Sequence, residues 1–253
     1  VSLAACAEIV RKGDPDRFLS VMAAPPDARA ALFPIYAFNV EVSRAPWVTG
    51  EAMIAEMRLQ WWRDVLDEIA TAKPVRRHEV ATPLAQVLDA DGAGLLDKLV
   101  QARRWDIYRD PFEDSDHFSE YLSATSGGLM WVAARAVGAK SGKGPVQEVG
   151  YASGLANWFK AIPQLETQGR MPLVDGRADA VVDLAQDALN RLKVARRQVP
   201  KPARPATRSG WQAGGTLRAA VTNPAVVPNG GLHIPEFRKK SSLLLCVLRG
   251  KAC

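Results

Sequence analysis

No stretch of about 18 apolar residues occurs in this sequence, so no helix that crosses a bilayer is expected. Long alternating apolar/polar runs closed by turn dipeptides are scarce, which argues against a strand-built fold. The 253 residues include only three cysteines, Cys6, Cys246 and Cys253. They form neither a metal-ligand spacing nor a disulfide framework, so a reducing compartment is expected. The three histidines, His78, His117 and His233, are isolated from one another and from the cysteines, so structural or surface roles are expected for them rather than zinc ligation. The N-terminus lacks a basic stretch ahead of an apolar one and does not read as a signal peptide. The missing initiator Met points to processing or trimming. The expected location is cytoplasmic, with a peripheral contact on the inner membrane left open.

Acidic residues are missing from 191–218, a stretch rich in Lys and Arg. Net charge is +6 and the sequence pI is near 9.4. Such a balance favours an anionic partner. No nucleic-acid motif accompanies the charge, so nucleic acid is not the expected one.

Helix formers fill the long segments. Apolar residues at Ile54, Met57, Trp61, Val65, Leu66 and Ile69 recur every three or four positions. Helices are predicted near 2–12, 27–44, 50–71, 81–90, 92–107, 114–138, 145–166, 177–197 and 203–221. Pro34 should kink its helix and Pro163 should end its own. The Pro- and Arg-rich segment 198–209 is predicted as a linker. Loop is expected over 222–235 and a short helix over 236–250. The organisation expected is one all-α helical domain over 1–221, then a loop and basic C-terminal segment over 222–253.

Tyr36-Ala37-Phe38, followed about twenty residues later by Arg58-Leu59-Gln60-Trp61-Trp62-Arg63-Asp64 and then by Gly169-Arg170, resembles the squalene/phytoene synthase family. The resemblance runs from about Arg17 to about Ala220. It implies the isoprenoid synthase fold, a helical bundle around a central cavity. Active members hold Mg²⁺ with two aspartate-rich motifs on facing helices, and the metal grips the substrate diphosphates. The first motif is expected at Ser43 to Trp47, which reads Ser-Arg-Ala-Pro-Trp. In the second, Ala161 and Leu165 stand where aspartates are expected, and Glu166 is one residue out of phase, about 100° around a helix. Ala37-Phe38-Asn39-Val40-Glu41 is closer to a divergent branch of the family. That branch implies a non-catalytic role in building respiratory complex I, with complex I subunits or assembly intermediates as partners and no cofactor.

The remnant cavity or its rim is expected to be lined by Tyr36, Asn39, Glu41, Ser43, Trp47, Arg58, Trp61, Trp62, Asn157, Ala161 and Leu165. No catalytic residue is assigned. Trp61 is expected in the core and Trp62 on an amphipathic surface. Trp105, Trp131 and Trp158 are expected in the core, and Ser126-Gly127-Gly128 at a close helix contact. The one literal Asp-x-x-x-Asp, Asp106 to Asp110, would put both carboxylates on one helix face, and is read first as a solvated helix end. The rival is an active Mg²⁺-dependent prenyl diphosphate synthase in which Asp64, Asp106, Asp110 and Glu166 supply the metal site. A third option is a non-catalytic binder of a prenyl lipid or quinone. Phe237, Arg238, Lys239 and Lys240, ahead of Leu243-Leu244-Leu245, are candidates for contact with a partner or membrane.

Overall fold

A computed structural model describes residues 3–250, and over that range every regular element is helical. The chain opens with α1 (Leu3–Gly13) and α2 (Pro15–Met22). Asp14 separates them: its carboxylate accepts from the Arg17 amide, and Pro15 fills the first helical position. That N-cap-plus-proline start is a legible signal that the sequence reading passed over. Next comes α3 (Pro26–Arg44), the most deeply buried of these helices. Pro34 sits inside it without ending it. A 3₁₀ turn at Ala45–Trp47 leads to α4 (Ala52–Ala70).

The inward face of α4 differs from the predicted one. Ala55, Leu59, Trp62, Val65 and Leu66 are buried, whereas Met53, Ile54 and Met57 are exposed. Trp62 is therefore the core residue and Trp61 the half-exposed one, the reverse of the expectation. The cause is helix phase, because the Leu59–Trp62–Leu66 spacing of three and four selects the buried stripe. Trp61 and Trp62 both pack edge-on against His78.

Helices α5 (Ala81–Ala85) and α6 (Ala90–Ala102) are shorter than predicted, and a 3₁₀ turn at Arg103–Asp106 follows. Helices α7 (Ser115–Leu122) and α8 (Leu129–Ala136) are joined by a π turn at Ser123–Gly128. Such turns often mark functional sites. The long helix α9 (Lys143–Thr167) packs against this π turn, α8 and α10 (Ala178–Gln198). Close approach rests on glycine. A Cβ on Gly150 would lie 2.7 Å from the Ser126 carbonyl oxygen and from Gly127 Cα. The expected role of Ser126-Gly127-Gly128 in close packing is met.

Pro163 does not end α9, contrary to expectation; the helix continues one turn because Ile162 and Leu165 on either side are buried. The predicted helix 203–221 is broken into α11 (Arg204–Thr207), a 3₁₀ turn and α12 (Ala213–Thr222). Val227 and Leu232, beyond α12, belong to the main core. The last element is α13 (Glu236–Arg249), which rests on Trp211, Leu19 and Ala23 through Leu243. Cys6 is a buried free thiol, and Cys246 is disulfide-bonded. The expectation of reduced cysteines thus fails at Cys246, and Cys253 lies outside the described residues. Among the described residues no helix is long and apolar enough to cross a membrane.

Candidate functional site

A cavity of about 650 Å³ lies between α2, α3, the π turn, α9 and the start of α12. Two helix faces look at each other across it. From α3 come Asn39 and Ser43, one turn apart, with Trp47 just beyond in the 3₁₀ turn. From α9 come Asn157, Ala161, Gln164 and Leu165, with Gln168 at its C-cap, again at spacings of three and four. The Asn39 side chain is 7% exposed, and its Oδ1 has no hydrogen-bond partner.

Among the described residues three carboxylates line the cavity, and each is already matched with a cation. Asp14 pairs with Arg17 at 3.0 Å, Asp16 with Lys239 at 3.0 Å and Asp106 with Arg103 at 2.9 Å. Asp106 is the deepest. Its other oxygen accepts from the Tyr121 hydroxyl at 2.8 Å, and Arg103 also donates to that hydroxyl at 2.7 Å. Burial works against the Arg103 charge, but Tyr121 and Asp106 outweigh it and hold the guanidinium above its usual range. Burial likewise raises the Tyr121 phenol well above normal.

Arg170 packs behind the lining residue Trp47. It donates to the backbone carbonyls of Asp106 and Tyr108 at 2.5 and 3.2 Å. Its guanidinium lies 4.7 Å from the Trp47 ring centre and 5.6 Å from that of Trp105. Trp105 leads inward to a ring cluster with Phe112, Tyr121 and Trp158. On the cavity wall Lys160 donates to the Gln212 side-chain oxygen at 2.9 Å, and burial lowers its pKa.

Of the residues predicted to line the cavity, Asn39, Ser43, Trp47, Asn157, Ala161 and Leu165 do so. The other five do not. Tyr36 is buried in the core and its hydroxyl donates to the Ala206 carbonyl at 3.4 Å. Glu41 is half-buried off the lining face of α3, Arg58 is exposed, and Trp61 and Trp62 pack with His78. Asp106 is not the solvated helix end expected of it, being 3% exposed. Nor do Asp106 and Asp110 share a helix face, because regular helix stops at Asp106 and leaves Asp110 in exposed, irregular chain. Sequence reasoning missed Arg17, Arg103, Tyr121 and Lys160. Lys160 lies three residues after Asn157 and four before Gln164, so the α9 stripe was the signal that could have found it.

The donor set does not suit Mg²⁺, which needs uncommitted hard oxygens. Among the described residues no three His, Cys, Asp or Glu side chains gather as a metal site. Of Asp64, Asp106, Asp110 and Glu166, only Asp106 reaches the cavity. Asp64 lies on the outer side of α4, bonded to Gln60 at 2.8 Å, and Glu166 is exposed.

The sequence profile of squalene/phytoene synthases matches residues 10–174, which carry both facing stripes. The chain belongs to the squalene/phytoene synthase family. Its helical architecture is that of solved family structures. It is similar to a dehydrosqualene synthase in complex with ligand, with TM-score 0.77 and 14% identity over 98% of this chain and 95% of that one. It is also similar to squalene synthase HpnC from Alicyclobacillus acidocaldarius, with TM-score 0.70 and 16% identity over 88% and 94%. At those identities the likeness shows the fold alone. Curated family relatives carry a different name. The Drosophila melanogaster homolog of NADH dehydrogenase (ubiquinone) complex I, assembly factor 6 is 27% identical over 223 residues, covering 76% of this chain and 66% of the relative. The Homo sapiens assembly factor 6 is 24% identical over 162 residues, covering 62% and 48%. The chain thus spans about half to two thirds of the length of these relatives.

Proposed function

We propose that this family member is non-catalytic and acts through protein contacts in the assembly of respiratory complex I. One observation carries the reading: the two facing helix stripes present amides, a hydroxyl and apolar groups where the family's chemistry calls for carboxylates. Every carboxylate that does reach the cavity is neutralised by an Arg or Lys of the chain itself. A diphosphate would meet these cations, but no divalent ion would be held to draw off the leaving group. The names of the curated relatives support the same direction.

Exposed apolar side chains beside the cavity rim support contact with a partner protein. Met53, Met57 and Val48 are 76%, 66% and 53% exposed, next to the half-exposed Trp47. Methionine-rich exposed surface adapts to a partner's shape. Affinity capture from a native membrane extract should recover complex I subunits or assembly intermediates. Met53→Ser with Met57→Ser should lower that recovery several-fold. Absence of complex I subunits from both mature and assembling fractions overturns the reading. So does formation of squalene or phytoene from farnesyl or geranylgeranyl diphosphate with Mg²⁺.

A second reading, a cavity that holds a prenyl lipid or quinone without chemistry, is favoured by the orphaned Asn39 oxygen. Native mass spectrometry of the purified protein should then show a retained small molecule that Asn39→Leu releases.

A further inference from the structure

Helix α13 has two working faces. Leu243 and Lys239 look inward, the first to Trp211 and the second to Asp16. At about 100° per residue, Phe237, Leu244 and Leu248 fall within a narrow arc on the opposite side. They are 83%, 58% and 72% exposed. This ridge is flanked by cations on both sides. Lys240 lies along one edge; on the other side Leu245, 49% exposed, widens the apolar face, and Arg238 and Arg249 lie beyond it. Among the described residues none of these three cations is held in an ion pair, whereas Glu236, the helix's one acid, is turned to Lys239 at 3.1 Å. The surroundings are also basic: Arg204 donates to the Gly250 carbonyl and Arg29 to that of Met22, itself 43% exposed.

An apolar ridge with cations on both sides suits a flat anionic surface better than a protein groove. Long basic side chains reach sideways to headgroup phosphates while the ridge enters the acyl boundary. The unpaired cations supply the charge complementarity for anionic lipid. We propose that α13 docks the protein on an anionic bilayer, with Phe237, Leu244 and Leu248 inserted and Arg238, Lys240 and Arg249 on the phosphates. Of the four C-terminal residues expected to make contact, Lys239 is reassigned to holding α13 on the body of the protein. The inference stands apart from the role in assembly.

The test is co-sedimentation of the full chain with vesicles containing phosphatidylglycerol, compared with vesicles of phosphatidylcholine alone. Binding to the anionic vesicles is expected, and it should fall as salt rises and the Debye length shrinks. Each cation near the surface is worth roughly fivefold in partitioning, so Arg238→Gln, Lys240→Gln and Arg249→Gln together should cost about a hundredfold. Leu244→Ser with Leu248→Ser should also weaken binding, while Met53→Ser with Met57→Ser should leave it unchanged. Both α13 sets alter exposed side chains, so a folding failure in one leaves the other to decide. Circular dichroism checks each variant. Equal binding to neutral vesicles overturns the proposal, as does no binding at all. Loss through the α4 methionines but not through α13 also overturns it, as does an α13 ridge that proves to join two copies of the chain in sedimentation velocity.

Discussion

Asp106 shows how little a single carboxylate reveals before its surroundings are known. By sequence it is half of an Asp-x-x-x-Asp; in the fold it is the buried counter-charge of Arg103 and the acceptor for Tyr121. Asp106→Ala should cost about 3 kcal/mol in denaturant unfolding, because it strands a buried guanidinium. Adding Arg103→Met should recover part of that loss, and a double-mutant cycle reads the coupling. Cys6 makes a second residue-scale case. Burial first, and the Glu79 charge second, push its thiol from an ordinary 9.0 up to about 11. Between these values the folded chain holds a proton that the unfolded chain releases. The associated stability is therefore complete below pH 9 and is lost as pH rises toward 11. The loss is on the order of 2 kcal/mol. Thermal melts of Cys6→Ala should show a shallower decline over that window than the parent chain, whatever the offset at neutral pH. The surroundings behind both effects include residues distant in sequence (the Glu79 charge for Cys6, the Tyr121 hydroxyl for Asp106), so neither could be read locally.

At the level of helices, most of the architecture was legible. Periodicity placed α3, α4, α9 and α10 near their true ranges, and Gly138, at φ +100°, ends α8 as expected. The failures share a cause. Pro163 and the α4 stripe were judged from the chain's own preferences, whereas packing against neighbours carried α9 past the proline and rotated α4 to bury Trp62 instead of Trp61. The facing stripes of the cavity were half legible, since the α3 and α9 positions followed from the motif spacing. Arg103 and Tyr121 did not follow, because no motif covers them, whereas Lys160 shares the α9 stripe and was within reach. The α9 seam supports a paired prediction. Gly150→Ala should destabilise by about 1–3 kcal/mol, since its Cβ has only backbone atoms to displace. Gly144→Ala, in the same helix with open space around it, should be neutral or stabilising by up to about 1 kcal/mol. Urea unfolding of the two variants side by side checks both.

Across the whole molecule, the main core and α13 separate cleanly. Val227 and Leu232 are in the main core, and α13 has its own small contact around Trp211. A chain ending at Pro235 should lose only the helical signal of α13 itself and a few degrees of Tm. One ending at Val221 should lose cooperative unfolding, because it removes both core residues. The pair between Lys239 and Asp16 nevertheless joins the outermost helix to the cavity wall. Were Lys239 drawn away, a bare anionic oxygen would return to the interior and contribute to the field felt by Lys160. The electrical balance of the hollow is thus governed from outside it, and anything that grips the last helix and shifts that lysine also resets what the hollow will admit.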